Sequence, residues 1–167
     1  RLKEWTKSGS IIGVDGSVNT IGKIYPHYLS LLQGLAKSTI KSADEVVNHE
    51  VFSPLIEQDR EKIFKKLQKE ELENAQEAAG KIRTSLLADL EVKVAQKSIK
   101  KWGPNLVMMD GSLSRYKFQA EESWEQLVEL ALEKDVLLIG VIEEVGTHKI
   151  SENLADELPV KMQNMYD

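Results

Sequence analysis

Ser10-Ile11-Ile12-Gly13-Val14 is an apolar, β-branched run broken by Asp15-Gly16-Ser17. It predicts a buried central strand that ends in a tight turn. From Lys23 to Ile40 the apolar positions Tyr25, Tyr28, Leu29, Leu31, Leu32, Leu35 and Ile40 alternate too loosely for a helix, and Pro26 and Gly34 oppose one. This stretch predicts one or two antiparallel strands. Glu45 to Phe52 predicts another, with polar turns at 18–22 and 41–44, as in a meander.

The pattern changes after Phe52. Ser53-Pro54 has the form of an N-cap with proline in the first turn, and Glu57 and Asp59 add acidic residues there. Ile63, Phe64, Leu67, Ala75, Ala79, Ile82, Leu86, Leu90 and Val94 recur at helical spacing, with no proline before Pro104. A single helix of about 45 residues would span roughly 68 Å. The spacing therefore predicts a break near Gly80 or a projecting end that needs a partner helix. Leu106 to Met109 predicts a strand closed by Asp110-Gly111-Ser112. A helix follows from about Ala120 to Lys134, then a buried strand from Asp135 to Ile142, then a short helix from Glu152 to Leu158. The order β-β-β-α-β-α-β-α is that of an α/β, ribonuclease-H-like mixed sheet, with a long helix after the third strand.

Composition narrows the functional classes. The 167 residues carry 41% apolar residues, enough for one ordinary core. The 22 basic residues against 27 acidic ones give a net charge of -5, which excludes nucleic-acid or lipid binding by bulk charge and leaves only a local basic groove. Cysteine is absent, so disulfides, thiolate metal sites and a Cys nucleophile are excluded. The longest apolar runs are too short to span a bilayer, which points to a cytoplasmic protein with no membrane partner. The chain opens at Arg1 without Met, and the expectation is a single domain over 1–167, truncated at its C-terminus.

The chemistry rests on two aspartates in matched settings. Asp15 and Asp110 each follow an apolar run and precede Gly-Ser. On parallel neighbouring strands, about 4.8 Å apart, both carboxylates would leave the sheet at one end and share divalent cations. Alternatively, Asp-Gly is simply a common turn. Glu91 is the best third acid, because Leu87, Val94 and Ala95 share its helix face and a carboxylate there needs a metal, a proton or a basic partner. Arg83, Lys93 and Lys97 are the nearby bases. Ser17 and Ser112 are candidate phosphate donors, although a serine after Asp-Gly more often caps its own turn. Arg115, Tyr116 and Lys117 follow the second aspartate closely enough to meet a phosphodiester, or lie in an exposed loop. The lysines 93, 97, 100 and 101 are either a DNA path or a wet helix face. Trp102 and Trp124 read as packing residues, and no histidine has zinc spacing.

With Asp15-Gly16-Ser17, the long helix carrying Arg83 and Leu90-Glu91, Asp110-Gly111-Ser112-Leu113 and Leu138-Ile139-Gly140-Val141, the chain resembles the NurA nuclease family over roughly residues 10 to 167. The resemblance implies a ribonuclease-H-like fold and manganese-dependent cleavage of DNA. The activity implied is single-strand endonuclease and 5'-to-3' exonuclease in end processing and repair. It also implies a homodimer and a HerA-like hexameric ATPase as partner. By position, Asp15, Glu91 and Asp110 match the family's acidic ligands for Mn2+ (or Mg2+), expected as two ions, and Asp167 is a candidate fourth. Glu143 and Glu144 stand where the family usually has a lysine after its last strand. A docking subunit without catalysis, serving such an ATPase, is the alternative reading. An actin-like ATPase ranks last, because its loops read Asp-x-Gly and no adenosine-binding glycine motif is present.

Overall fold

The computed structural model of the chain describes residues 10–39 and 45–142. Five strands and four helices follow in the order β1 (Ile11–Ile24), β2 (His27–Ser38), β3 (Val46–Phe52), α1 (Glu57–Lys69), α2 (Ala75–Trp102), β4 (Leu106–Asp110), α3 (Leu113–Gln119), α4 (Glu121–Glu133) and β5 (Leu137–Val141). The sheet order is β3-β2-β1-β4-β5, with β1–β2 and β2–β3 antiparallel and β1–β4 and β4–β5 parallel. A meander of three strands extended by two parallel strands, each entered through helices, is the ribonuclease-H-like arrangement expected from the sequence. Among the described residues, no helix is long and apolar enough to cross a membrane.

Strand alternation divides the sheet into two unlike faces. Ile12, Val14, Ala36, Val107 and Met109 point to one face and are buried beneath α2, whose Ala88, Val92, Val94, Ala95 and Ile99 join the same core. Tyr116, Trp124 and Leu127 of α3 and α4 extend it, and Trp102 packs against it, so both tryptophans are packing residues as expected. A second cluster places Ile63 of α1 against Phe52, Leu32, Ile82 and Leu90. The other face carries Leu29, Leu31, Val47 and Val51, all partly open to solvent.

Several boundaries differ from expectation, each for a local reason. β1 does not turn at Asp15-Gly16-Ser17. It continues to Ile24 because Ser17, Asn19 and Thr20 still have partners on β2, at Gln33, Leu31 and Ser30. The reversal falls at Tyr25-Pro26, a cis peptide, so the turn expected at 18–22 is strand instead. The turn expected at 41–44 lies outside the described residues. Ser53 does not cap a helix. Its Oγ donates to the Tyr28 carbonyl and its amide to Asp59, and the helix begins four residues later at Glu57.

The long helical stretch breaks at 70–74, not at Gly80, which lies inside α2. Asn74 takes an extended conformation, and its side chain accepts from the Glu77 amide at 2.9 Å. That capping bond satisfies a donor that the helix itself cannot. Asn74→Ala is therefore expected to cost about 1 kcal/mol in chemical denaturation, whereas Gly80→Ala, with nothing within 4 Å of the added carbon, is tolerated. The observed order inserts a second helix both before and after β4. The helix expected over 152–158 lies outside the described residues.

Candidate active site where β1 and β4 part

Because β1 and β4 run parallel with Val14 opposite Met109, the next residues on the two strands are Asp15 and Asp110. Both side chains belong to the open face of the sheet, and with Gly13, Met108 and Val141 they line one cavity of about 290 Å³. The two Asp-Gly motifs thus meet where the pairing of β1 with β4 ends. Asp15 accepts a hydrogen bond from the Gly16 amide at 2.7 Å, which fixes its carboxylate.

The turn after Asp110 is held from three sides. Gly111 adopts φ +85°, a conformation that side chains disfavour. Its amide donates to the Val141 carbonyl at 2.7 Å. A Cβ on Gly140 would stand 2.5 Å from the Gly111 carbonyl oxygen, so Gly140 is what lets β5 approach this turn. Below it, the hydroxyl of buried Tyr116 donates to the Asp110 carbonyl at 2.6 Å.

Glu91 occupies the opposite face. It is 1% exposed, and a Cβ on Gly16 would stand 2.0 Å from its Oε1. Gly34, paired with Gly16 across β1–β2, likewise lets the backbone of α2 at Leu90 come close. The two glycines form a window through which the glutamate reaches the sheet. Its cationic partner is none of the three bases expected from the sequence. Arg115 of α3 donates to Oε2 at 2.5 Å. Burial pushes the Glu91 carboxyl above its ordinary value, against the opposing pull of Tyr116 and Arg115, and the charge of Asp110 pushes it the same way as burial. Burial and the neighbouring Glu91 together raise the Tyr116 hydroxyl far above its ordinary range, so it stays a protonated donor. Gly16→Ala must displace Glu91 from this seat. It is expected to cost about 2 kcal/mol, read as a lowered denaturation midpoint and largely removed when Glu91→Ala is made in the same chain.

The remaining candidates separate in space. Ser17 is an exposed strand residue opposite Gln33. Ser112 caps α3, accepting from the Ser114 amide at 3.3 Å. Arg115 and Lys117 lie on that helix and not in a loop; Lys117 is exposed, while Arg115 is engaged by Glu91. Lys93 pairs with Asp89 at 2.6 Å. Asp167, His148, Glu143 and Glu144 lie outside the described residues. Among the described residues, no three His, Asp or Glu side chains gather as they would around a metal ion. The structure brings Asp15 and Asp110 together and leaves Glu91 behind the sheet, beneath Gly16. The donor chemistry of the aspartate pair, two exposed carboxylates lining one cavity, fits a hard divalent cation.

Sequence reasoning missed Gly34, and it offered Arg115 and Tyr116 to a phosphodiester without foreseeing their contacts with Glu91 and the Asp110 carbonyl. The signal for Gly34 was a second glycine at the position that pairs with Gly16 in the expected meander. Tyr116 and Arg115 carried no such signal, because their roles depend on a helix that the local sequence did not announce.

No curated protein matches the chain. Among solved structures it is similar to Ciona intestinalis endonuclease V in complex with a 24mer DNA containing an inosine followed by a ribo-adenosine. The identity is 16% and the TM-score 0.34, covering 90% of this chain and 56% of that one. It is also similar to the prototype foamy virus protease-reverse transcriptase, at 11% identity and a TM-score of 0.36, covering 95% of this chain and 21% of that one. The decisive match is to the family model described as the NurA domain, over residues 9–165. With nearly the whole sequence matched, the chain belongs to the NurA family of nucleases.

Proposed function

We propose that the protein is a metal-dependent DNA nuclease that hydrolyses phosphodiester bonds where the pairing of β1 with β4 ends. The observation that carries this reading is the convergence of Asp15 and Asp110 on one cavity where two parallel strands part. Manganese or magnesium, as one ion or two, would be held by these aspartates. Bound there, such an ion supplies an activated water and neutralises charge on the departing oxygen.

The chain's own groups do the positioning. Gly111 and Gly140 keep the Asp110 turn narrow, so a substrate backbone can approach the carboxylate. Tyr116 anchors that turn through the Asp110 carbonyl. Glu91 is the proposed third ligand and is available to the pair only when Arg115 releases it; Arg115, once released, is a cation for the substrate phosphate. Family membership supports single-strand endonuclease and 5'-to-3' exonuclease activity in DNA end processing, a homodimer and a HerA-like ATPase partner. Asp167 remains a proposed further ligand.

A labelled single-stranded oligonucleotide incubated with the protein is expected to be cleaved with manganese and left whole after chelation. A second reading, a docking subunit without catalysis, is favoured by the engagement of Glu91 with Arg115. Under that reading no divalent metal produces cleavage, and millimolar manganese leaves the melting temperature unchanged.

A further inference from the structure

Arg115 carries a donor that its neighbours leave unused. Its Nη2 donates to Glu91 at 2.5 Å and its guanidinium lies 4.9 Å over the Tyr116 ring, so the group is fixed in place. Its Nε is nevertheless buried and has no acceptor among the described residues. A buried donor in that state is costly, and folded proteins hold few of them.

Arg115 lines a cavity of about 520 Å³ together with Val18 and Thr20 of β1 and Arg83, Thr84 and Leu87 of α2. This cavity lies on the face of the sheet that α2 covers, because Val18 and Thr20 follow Gly16 at alternate positions along β1. Asp15 and Asp110 open on the other face, into a separate cavity. The lining holds two guanidinium groups and no acid. Glu91 balances the charge of Arg115. Arg83 stands 5.9 Å over the Tyr28 ring, which orients its guanidinium without neutralising it. On a chain of net charge -5, a cavity of this sign is a local exception. A second cavity, of about 710 Å³, shares Thr20 and Arg83 with the first and adds Lys23, Tyr25 and Tyr28. Its acidic residue, Glu77, is paired with Lys81 at 3.2 Å.

We propose that the first cavity binds a small phosphate-bearing anion, either free phosphate or the phosphate of a mononucleotide, between Arg83 and the unused Nε of Arg115. Guanidinium groups present fixed N–H donors that match phosphate oxygens, and two of them on one cavity favour such an anion over a carboxylate of single charge. The sugar and base of a mononucleotide fit the adjoining cavity, where the half-buried Tyr25 offers a ring. One guanidinium then serves both the anion and Glu91, so each weakens the other's hold, and the coupling is reciprocal. The site stands apart from the aspartate pair and does not depend on hydrolysis.

Isothermal titration calorimetry of the full chain in a chelating, chloride-based buffer, with inorganic phosphate and adenosine monophosphate as the probes, tests the site. One of the two is expected to bind at a one-to-one ratio, and Arg83→Ala to weaken that binding about tenfold. Thr84→Glu, at an exposed helical position, sets a carboxylate in the lining and gives the same readout should Arg83→Ala fail to fold. Glu91→Gln should tighten binding about fivefold, because the carboxylate no longer competes for Arg115. Tighter binding of the nucleotide than of phosphate, with the gain lost in Tyr25→Ala, assigns a mononucleotide; equal constants assign free phosphate. A gain that survives Tyr25→Ala overturns the place given to that ring. No saturable heat with either probe, or constants that neither Arg83→Ala nor Thr84→Glu weakens, overturn the site. A Glu91→Gln constant no tighter than the native one overturns the sharing of Arg115.

Discussion

Arg115→Met is expected to destabilise the protein by about 3 kcal/mol at neutral pH. The methionine retains most of the side-chain volume but removes the cation from a carboxylate that is 1% exposed. What remains is a buried charge with no ion-pair partner, the costliest part of breaking such a pair. The figure sits at the lower end of the range because the Arg115 side chain is 28% exposed, so solvent already screens part of the attraction. Glu91 can also escape part of the penalty by taking a proton. Its folded-state pKa is already raised by burial, and loss of Arg115 raises it further. The folded variant therefore holds a proton that the unfolded chain gives up near the ordinary value of 4.5. Stability of the variant is highest below that value and falls as pH rises through the raised one. Denaturant midpoints at two pH values check both the size and the sign. Adding Glu91→Gln should recover much of the loss, since a neutral amide leaves no buried charge behind.

The second large effect concerns activity. Asp110→Asn exchanges an exposed carboxylate for a neutral amide of the same shape, so the fold is left intact within about 0.5 kcal/mol. Any change is toward greater stability, because the Asp110 charge pushes against Glu91 in the native chain. Cleavage in the presence of manganese is nevertheless expected to fall about a thousandfold, the equivalent of roughly 4 kcal/mol of transition-state stabilisation. Single-turnover rates on an oligonucleotide, with the melting temperature measured alongside, separate this loss from unfolding. A variant that keeps even a tenth of the native rate removes Asp110 from the chemistry.

The sheet was legible in the sequence because each strand contains an apolar run, and the matched settings of Asp15 and Asp110 foretold their meeting. What misled was the meaning of glycine. Asp15-Gly16 reads as a turn, yet Gly16 lies mid-strand, kept small so that Glu91 can occupy the space a side chain would fill. Gly80 reads as a helix breaker and lies inside α2, while the true break follows from the Asn74 cap, whose neighbours show no loss of helical pattern. Glu91 was recognisable as a buried acid from the apolar residues on its face. Its partner was not, because Arg115 arrives from a seven-residue helix that follows β4 and is brought near only by the parallel pairing of β1 with β4. Local periodicity registers neither a contact over 24 positions nor a space filled from across the sheet.

The direct test of the whole account is anomalous diffraction from crystals of the protein soaked in manganese. The account predicts a peak in the cavity between β1 and β4, coordinated by carboxylate oxygens of both Asp15 and Asp110. A saturating soak that leaves this cavity without a peak, or that places manganese where neither aspartate touches it, contradicts the account.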